Sequence, residues 1–329
     1  MLFNGKIFQV AFISFYLTPT SPSASPAVPL IAPHTFEIAG EMAPGHEPDG
    51  NTYILESTKG LTVIDTGRHE SHRRKIEMFA EQKHTTIVAV INSHWHLDHV
   101  SGNIGLRKAY PEIKVYGSGA INDALRGFLA KNAESSLQML ATGKLDSAER
   151  EEIATDLATI AASDALKPDV VLSHAQTLAI GGRKLQIHVA KNSATAGDVW
   201  IFDPSSGVVF VGDLETFPAA FLDTACAKGW EKALEEIERV PFRIVAPGHG
   251  PLLSREHFHT YFQAFEKLLS CSDSTQTAPQ CATDWIDQVA GIGEMSEQQR
   301  RLGQGMTAYY ITDVLRAHGG NSEYCAEAK

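Results

Sequence analysis

The chain has 329 residues, 43% hydrophobic and 20% charged, with a formal net charge of −11. That composition is globular and sufficient for a large buried core, in one large domain or two ordinary ones. The acidic balance repels phosphate backbones and excludes nucleic acid as an expected partner, while leaving small-molecule substrates open.

At the N-terminus, Lys6 precedes the apolar run 7–17, which is shorter than the roughly 20 residues needed to span a bilayer. Small residues with Pro and Ser follow, up to Ala27 with Ser25 two before it. This reads as an export signal over 1–27; the alternative is a buried N-terminal strand. The remainder, 28–329, is then a periplasmic or secreted protein with no membrane association after signal removal. The four cysteines, Cys226, Cys271, Cys281 and Cys325, form no C-x-x-C pair, which argues against a structural zinc ribbon. In an exported protein they permit disulfides. Three pairings are open, as are four reduced, buried thiols. The expected arrangement is Cys271–Cys281, closing a polar loop, and Cys226–Cys325, tying down the C-terminal tail.

Residues 51–57 and 60–67 read as strands joined by a turn at Lys59-Gly60. Residues 69–83 are polar with spaced apolar positions, a surface helix. The near-continuous apolar run 85–92 is a strand buried on both faces. A short helix and the strand 114–118 follow. Residues 119–166 carry helical periodicity and strong helix formers, broken by "ATGK". Residues 176–190 form a hairpin turning at Gly181-Gly182, and 198–213 a second hairpin. An amphipathic helix over 229–240 leads to a strand at 243–250, and 255–329 is mainly helix. The alternation is that of an α/β protein in two halves.

The strand at 85–92 runs into "HWHLDH", residues 94–99, which holds three of the chain's 14 histidines. On an extended segment, side chains two apart point the same way, so His94 and His96 can grip one ion. Asp98 and His99 lie where the chain turns and can face a second ion. Imidazole and carboxylate donors suit zinc. Strand ends near 92, 213 and 247 each lead into a candidate ligand.

"HWHLDH" matches the H-x-H-x-D-H signature of the metallo-β-lactamase superfamily. "VIDTG" (63–67), "FVGD" (210–213) and "PGHG" (247–250) resemble three further motifs of that family, in its order. The resemblance implies a single domain with a four-layer αββα sandwich, a helical insert at 119–166 and a C-terminal helical extension at 255–329. It implies a metal centre in which His94 and His96 hold one ion, Asp98, His99 and His249 hold a second, and Asp213 bridges them. Asp65 would orient a ligand histidine from behind; a plain turn residue is the alternative. Zinc, one or two ions per chain, is the expected cofactor.

In that family the third ligand of the first ion lies in a loop reading G-H-T-x-G-D. Here the matching residues are "SATAGD" (193–198), with Ala194 at the histidine position. His94, His96, Asp213 and a water still make a four-coordinate set with an open position, so the first site is weakened and the second is expected to fill first. His188 or Asn192 could replace the donor, although His188 reads as a strand histidine facing solvent or a polar neighbour.

A metal lowers the pKa of bound water to about 7 and polarises a carbonyl. The expected function is therefore hydrolysis of an ester, lactone or similar acyl substrate by metal-bound hydroxide. Asp98 would act both as ligand and as proton acceptor. No G-x-S-x-G motif competes. Asp213 resembles the bridging residue of the glyoxalase II, lactonase and phosphodiesterase branches, whereas zinc β-lactamases usually carry Cys or Ser there. A periplasmic β-lactamase-like enzyme and a catalytically reduced binding or scaffold protein, suggested by Ala194, are the alternatives. The insert would overhang the site, or else be a surface elaboration.

Overall fold

Successive side chains of a strand point to opposite faces of its sheet, and here the two faces bury different partners. On one central strand Val208 and Phe210 pack between two sheets, while Val209 and Val211 pack under helices. The computed structural model describes residues 28–42 and 46–325, so the expected export signal at 1–27 lies outside the described residues. One sheet holds, in spatial order, β1 (Leu30–Ala32), β2 (Thr35–Ile38), β3 (Thr52–Ser57), β4 (Gly60–Ile64), β5 (Ile87–Ile91), β6 (Lys114–Ser118) and β7 (Val170–Leu172). The other holds β8 (Gln176–Ile180), β9 (Arg183–Lys191), β10 (Gly197–Asp203), β11 (Val208–Thr216), β12 (Ile244–His249) and β13 (Leu253–Ser254). Both sheets are mixed: β4 to β7 run parallel, and β12 runs parallel to β11.

Tyr53, Leu55, Ile91, Ile187, Ile201 and Phe210 fill the layer between the sheets. Outside the first sheet, Ile54, Val63 and Val90 meet Ile76 and Phe79 of α1 (Glu70–Gln82), beside α2 (Leu97–Val100) and α3 (Asn103–Ala109). The insert forms α4 (Ile121–Ala124), α5 (Phe128–Ala141), α6 (Ser147–Ala161) and α7 (Ser163–Leu166). Asp146 and Glu149 start α6 with a reciprocal cap, satisfying two backbone donors that a helix start leaves open. Outside the second sheet, Trp200, Val209 and Val245 meet α8 (Ala227–Glu238), α9 (Arg255–Ser272) and α10 (Ala278–Val289), followed by α11 (Glu297–Tyr309). The architecture is the expected αββα sandwich.

The insert is not a separate surface element. Trp95 and Leu97, which alternate with the candidate ligands along the histidine segment, are buried in one apolar cluster with Ile121, Ala124, Leu129 and Leu166. The insert's core therefore grips the segment that carries the histidines. The four cysteines pair as expected, Cys226 with Cys325 and Cys271 with Cys281. The first cystine ties the last described residue to the start of α8. Among the described residues no helix is long and apolar enough to cross a membrane.

Candidate metal centre

Three chain segments deliver the donors to one edge of the sandwich. β5 ends at Ile91, and residues 92–96 run on into α2, whose single turn carries Asp98 and His99. β11 does not stop at Asp213 as the hairpin reading has it but continues to Thr216, with a register irregularity at Gly212. Gly212 has a φ of +53°, and a side chain there would lie 2.5 Å from Ser93 Cβ. Only glycine combines that conformation with that approach. At the end of β12, a side chain on Gly248 would fall 2.0 Å from an Asp213 carboxylate oxygen. The backbone there leaves room for the carboxylate beside His249.

The donors converge in two groups, His94, His96 and Asp213, and Asp98, His99 and His249, with ligand atoms inside each group within 4.8 Å of one another. Asp213 lies against both. Its Oδ2 is 3.4 Å from His94 Nε2 and 3.7 Å from His96 Nδ1, and its Oδ1 is 3.1 Å from His99 Nε2 and 3.6 Å from His249 Nε2. His249 Nε2 is 2.9 Å from Asp98 Oδ2 and 3.3 Å from His99 Nε2. The last histidine motif thus reaches the first.

Ring tautomers follow from the hydrogen bonds behind the ligands. Asp65, at a φ of +58°, accepts from the Ser93 N–H at 2.7 Å and the Ser93 hydroxyl at 2.6 Å. It also lies 2.8 Å from His99 Nδ1. An ionised carboxylate only accepts, so His99 Nδ1 carries the proton and Nε2 turns a lone pair inward. Ser93 Oγ has spent its proton on Asp65 and so accepts from His94 Nδ1, 2.9 Å away. His94 Nε2 is thereby left free. Thr224 Oγ1 donates to the Ala194 carbonyl at 2.9 Å and meets His96 Nε2 at 3.2 Å, so His96 turns the lone pair of Nδ1 toward Asp213. One carboxylate and two hydroxyls set three imidazoles with lone pairs inward, the arrangement a metal requires.

The fit to a cation also shows in what is left unpaired. Buried His94 Nε2 and both oxygens of buried Asp213 make no hydrogen bond. Burial opposes charge on Asp98 and Asp213, but neighbouring imidazoles, His99 foremost, outweigh it and hold both carboxyls well below the usual range. Burial likewise opposes charge on His99, yet Asp213, Asp98 and Asp65 push its pKa well above the ordinary value. A divalent ion held by these residues would take the place of such protons, because metal ligands must be deprotonated. Nitrogen and oxygen donors in this number suit zinc.

Ala194 is buried and contributes only its carbonyl, tied through Thr224 to His96. His188 does not replace the missing donor. Its ring lies flat on Trp200, 3.7 Å between centroids and 6° between planes, and is half-buried, so it meets solvent in part, as the strand pattern predicts, with an aromatic rather than a polar neighbour. The loop is closed by Asp198, which accepts from the Thr195 N–H at 2.8 Å and from its hydroxyl at 3.1 Å. A194H should therefore tighten the first group by at least about ten-fold in zinc affinity, since even partners behind the ligands shift affinity 10- to 100-fold. Competition with a zinc chelator dye measures it. Unchanged metal content and unchanged activity together would place the loop away from the ions.

Ser93, Thr224 and Arg68 carry no sequence signal that marks them. Arg68 lies 4.0 Å from Asp98 and 2.6 Å from Asp156 of α6. Burial opposes its charge, but Asp98, Asp156 and Glu47 outweigh it and hold the guanidinium protonated. Next to it His69 bridges Asp49 and Glu152, at 2.9 and 3.0 Å. The insert thus reaches a candidate ligand through a charged chain as well as through the apolar cluster around Trp95.

A family model described as the metallo-beta-lactamase superfamily matches residues 47–249. The chain is 31% identical over 99 residues to the atrochrysone carboxyl ACP thioesterase of Aspergillus fumigatus, covering 29% of this chain and 30% of that one. It is 38% identical over 73 residues to the hydroxyacylglutathione hydrolase of a Synechococcus strain, covering 21% and 27%. The matched stretches span less than a third of these relatives. Among solved structures, a metallo-beta-lactamase from Pontibacter korlensis superposes with a TM-score of 0.52 at 17% identity, covering 73% of this chain and 98% of that one. The FIM-1 enzyme of Pseudomonas aeruginosa, in its mono-zinc form, gives 0.53 at 18%, covering 73% and 95%. At those identities the likeness is one of fold.

Proposed function

The chain belongs to the metallo-beta-lactamase superfamily, and on that premise we propose that it is a zinc-dependent hydrolase of carboxylic esters, thioesters or lactones. The observation that carries this reading is Asp213, set within 3.1–3.7 Å of imidazoles from both donor groups. The names of the two curated relatives, a thioesterase and a hydroxyacylglutathione hydrolase, support an acyl substrate. A bound divalent cation supplies Lewis acidity that activates water and polarises a carbonyl.

The rest is done by the chain. His94, His96 and Asp213 form one cradle and Asp98, His99 and His249 the other. Asp65, Ser93 and Thr224 fix the imidazole tautomers before substrate arrives, so little reorganisation remains for the reaction itself. Asp98 accepts the proton lost by the attacking water. Its Oδ1 faces Arg68, which favours the charged carboxylate between turnovers. Two cystines suit an oxidising compartment, which supports export to the periplasm or beyond.

A second reading, a binding protein of reduced catalytic power, is favoured by Ala194 alone. Metal analysis and a substrate panel separate the two. The enzyme reading expects close to stoichiometric zinc and cleavage of an ester, thioester or lactone that a chelator abolishes and zinc restores. Absence of metal after refolding with zinc, or a metal-loaded protein inert to acyl substrates, phosphodiesters and β-lactams, overturns it.

A further inference from the structure

Of the six candidate ligands His96 is the least buried, its side chain 16% exposed against 7% or less for the others. A substrate reaching the centre from solvent meets this side first, and the groups standing there are aromatic. Trp95 is edge-on to the His96 ring at 4.5 Å. Phe128, at the start of α5, lies 6.4 Å from His96 and 5.5 Å from Trp95. Tyr324 stands edge-on to Phe128 at 5.1 Å. On the other flank Phe221 is edge-on to His249 at 5.1 Å. Phe128, Phe221 and Tyr324 are each only partly buried.

These rings come from three remote segments, and each packs on a fixed part of the fold, Phe221 against the apolar cluster under the second sheet. Phe128 is fixed by the insert's core around Trp95. Tyr324 precedes Cys325, whose disulfide to Cys226 anchors the tail, and the Ser322 N–H donates to the Ala225 carbonyl at 2.9 Å. Lys131, one turn after Phe128, pairs with Glu323 at 3.1 Å and sits over the Tyr324 ring at 5.4 Å. Its charge is thereby engaged, as is that of Arg68, so no unpaired cation among these groups favours an anionic substrate tail. Phe128 and Phe221 offer flat apolar surface next to His96 and His249, and Tyr324 extends it outward from Phe128. Aromatic rings bury large areas and gain further from edge-to-face contact with another ring.

The geometry points to Phe128, Tyr324 and Phe221 as a specificity wall that selects acyl substrates bearing an aryl or similarly flat apolar group over acetyl ones. This rests on the acyl-hydrolase reading of the centre. The test uses the full zinc-loaded protein with phenylacetyl and acetyl thioesters of one common thiol, and calorimetric binding of phenylacetate and acetate as a readout independent of turnover. The wild type should favour the phenylacetyl thioester by about ten-fold or more in kcat/KM. Y324A and F128L, the latter keeping apolar volume in case F128A fails to fold, should each lower that ratio several-fold, while Y324F retains it. A wild-type ratio near one, or a ratio unmoved in both Y324A and F128L, overturns the wall. If neither thioester is hydrolysed, thioesters are not the substrate, the hydrolase reading is left to the wider substrate panel, and binding alone decides the wall. The wall then stands where phenylacetate outbinds acetate and Y324A abolishes the difference, and falls where the two carboxylates bind alike.

Discussion

D213N should empty the centre of tightly held zinc and lower kcat/KM by about 1,000-fold, several kcal/mol of transition-state stabilisation. The amide keeps the shape of the carboxylate but carries no charge, and one of its ends is an N–H donor. Both carboxylate oxygens in the native chain are buried without a hydrogen bond and face inward-turned imidazole nitrogens on both sides. The introduced amide would direct a donor at one of those lone pairs and block it. Asp213 is also a buried counter-charge for His99, so the metal-free variant is itself less stable, and its absolute melting temperature is a poor readout. The informative quantity is the shift that zinc produces. A ligand at 1,000 times its Kd stabilises by roughly 4 kcal/mol, and D213N should lose most of that shift. A variant that still binds two ions and turns over substrate would remove Asp213 from the centre.

The donors are legible in the sequence because their residue types are scarce and each follows an apolar strand. "HWHLDH" follows β5 after two residues, "FVGD" lies on β11, and "PGHG" ends β12. A buried strand running into a histidine or aspartate needs a reason, and metal ligation supplies one. The groups that hold the donors are illegible for the opposite cause. Ser93 and Thr224 are common polar residues, and their roles depend on which nitrogen of a neighbouring ring they meet. Thr224 meets His96 from a remote loop, two residues before the Cys226–Cys325 cystine, where its hydroxyl donates to the Ala194 carbonyl. Ring contacts such as Phe128 with Tyr324 join opposite parts of the chain and leave no periodic trace.

The same division holds for the fold. Long apolar or alternating segments give β3, β5, β9, β10 and β11 directly. The strands with no clear signal, β1, β2, β7 and β13, are two to four residues long. That is too short for a period of two to stand out from chance, and they are recruited by pairing with neighbours that form on stronger grounds. α2 is hidden differently: its four residues include two candidate ligands, so its sequence reports the chemistry of the site rather than the helix.

D65N should lower zinc affinity at both donor groups by roughly 10- to 100-fold and turnover with it. Asparagine is the informative choice because it tolerates the left-handed backbone that Asp65 adopts nearly as well as aspartate does. A loss then reports the side chain and not strain. The carboxylate accepts from Ser93 and from His99 Nδ1. The carboxamide can accept at only one end. With its oxygen kept on the Ser93 N–H, its NH2 group points at His99 Nδ1 and favours the opposite tautomer, placing a proton on Nε2 where a lone pair is needed. Ser93 also loses its acceptor, so its hydroxyl no longer holds His94 in one orientation. S93A breaks only the second of these arms. If Asp65 acts through the two relays, S93A should weaken the His94, His96 and Asp213 group and spare the Asp98, His99 and His249 group, while D65N weakens both. Two-site zinc titrations of the two variants, read by calorimetry with a chelator competitor, resolve the difference. Equal effects of S93A on both groups, or none of D65N on either, would leave Asp65 as a turn residue.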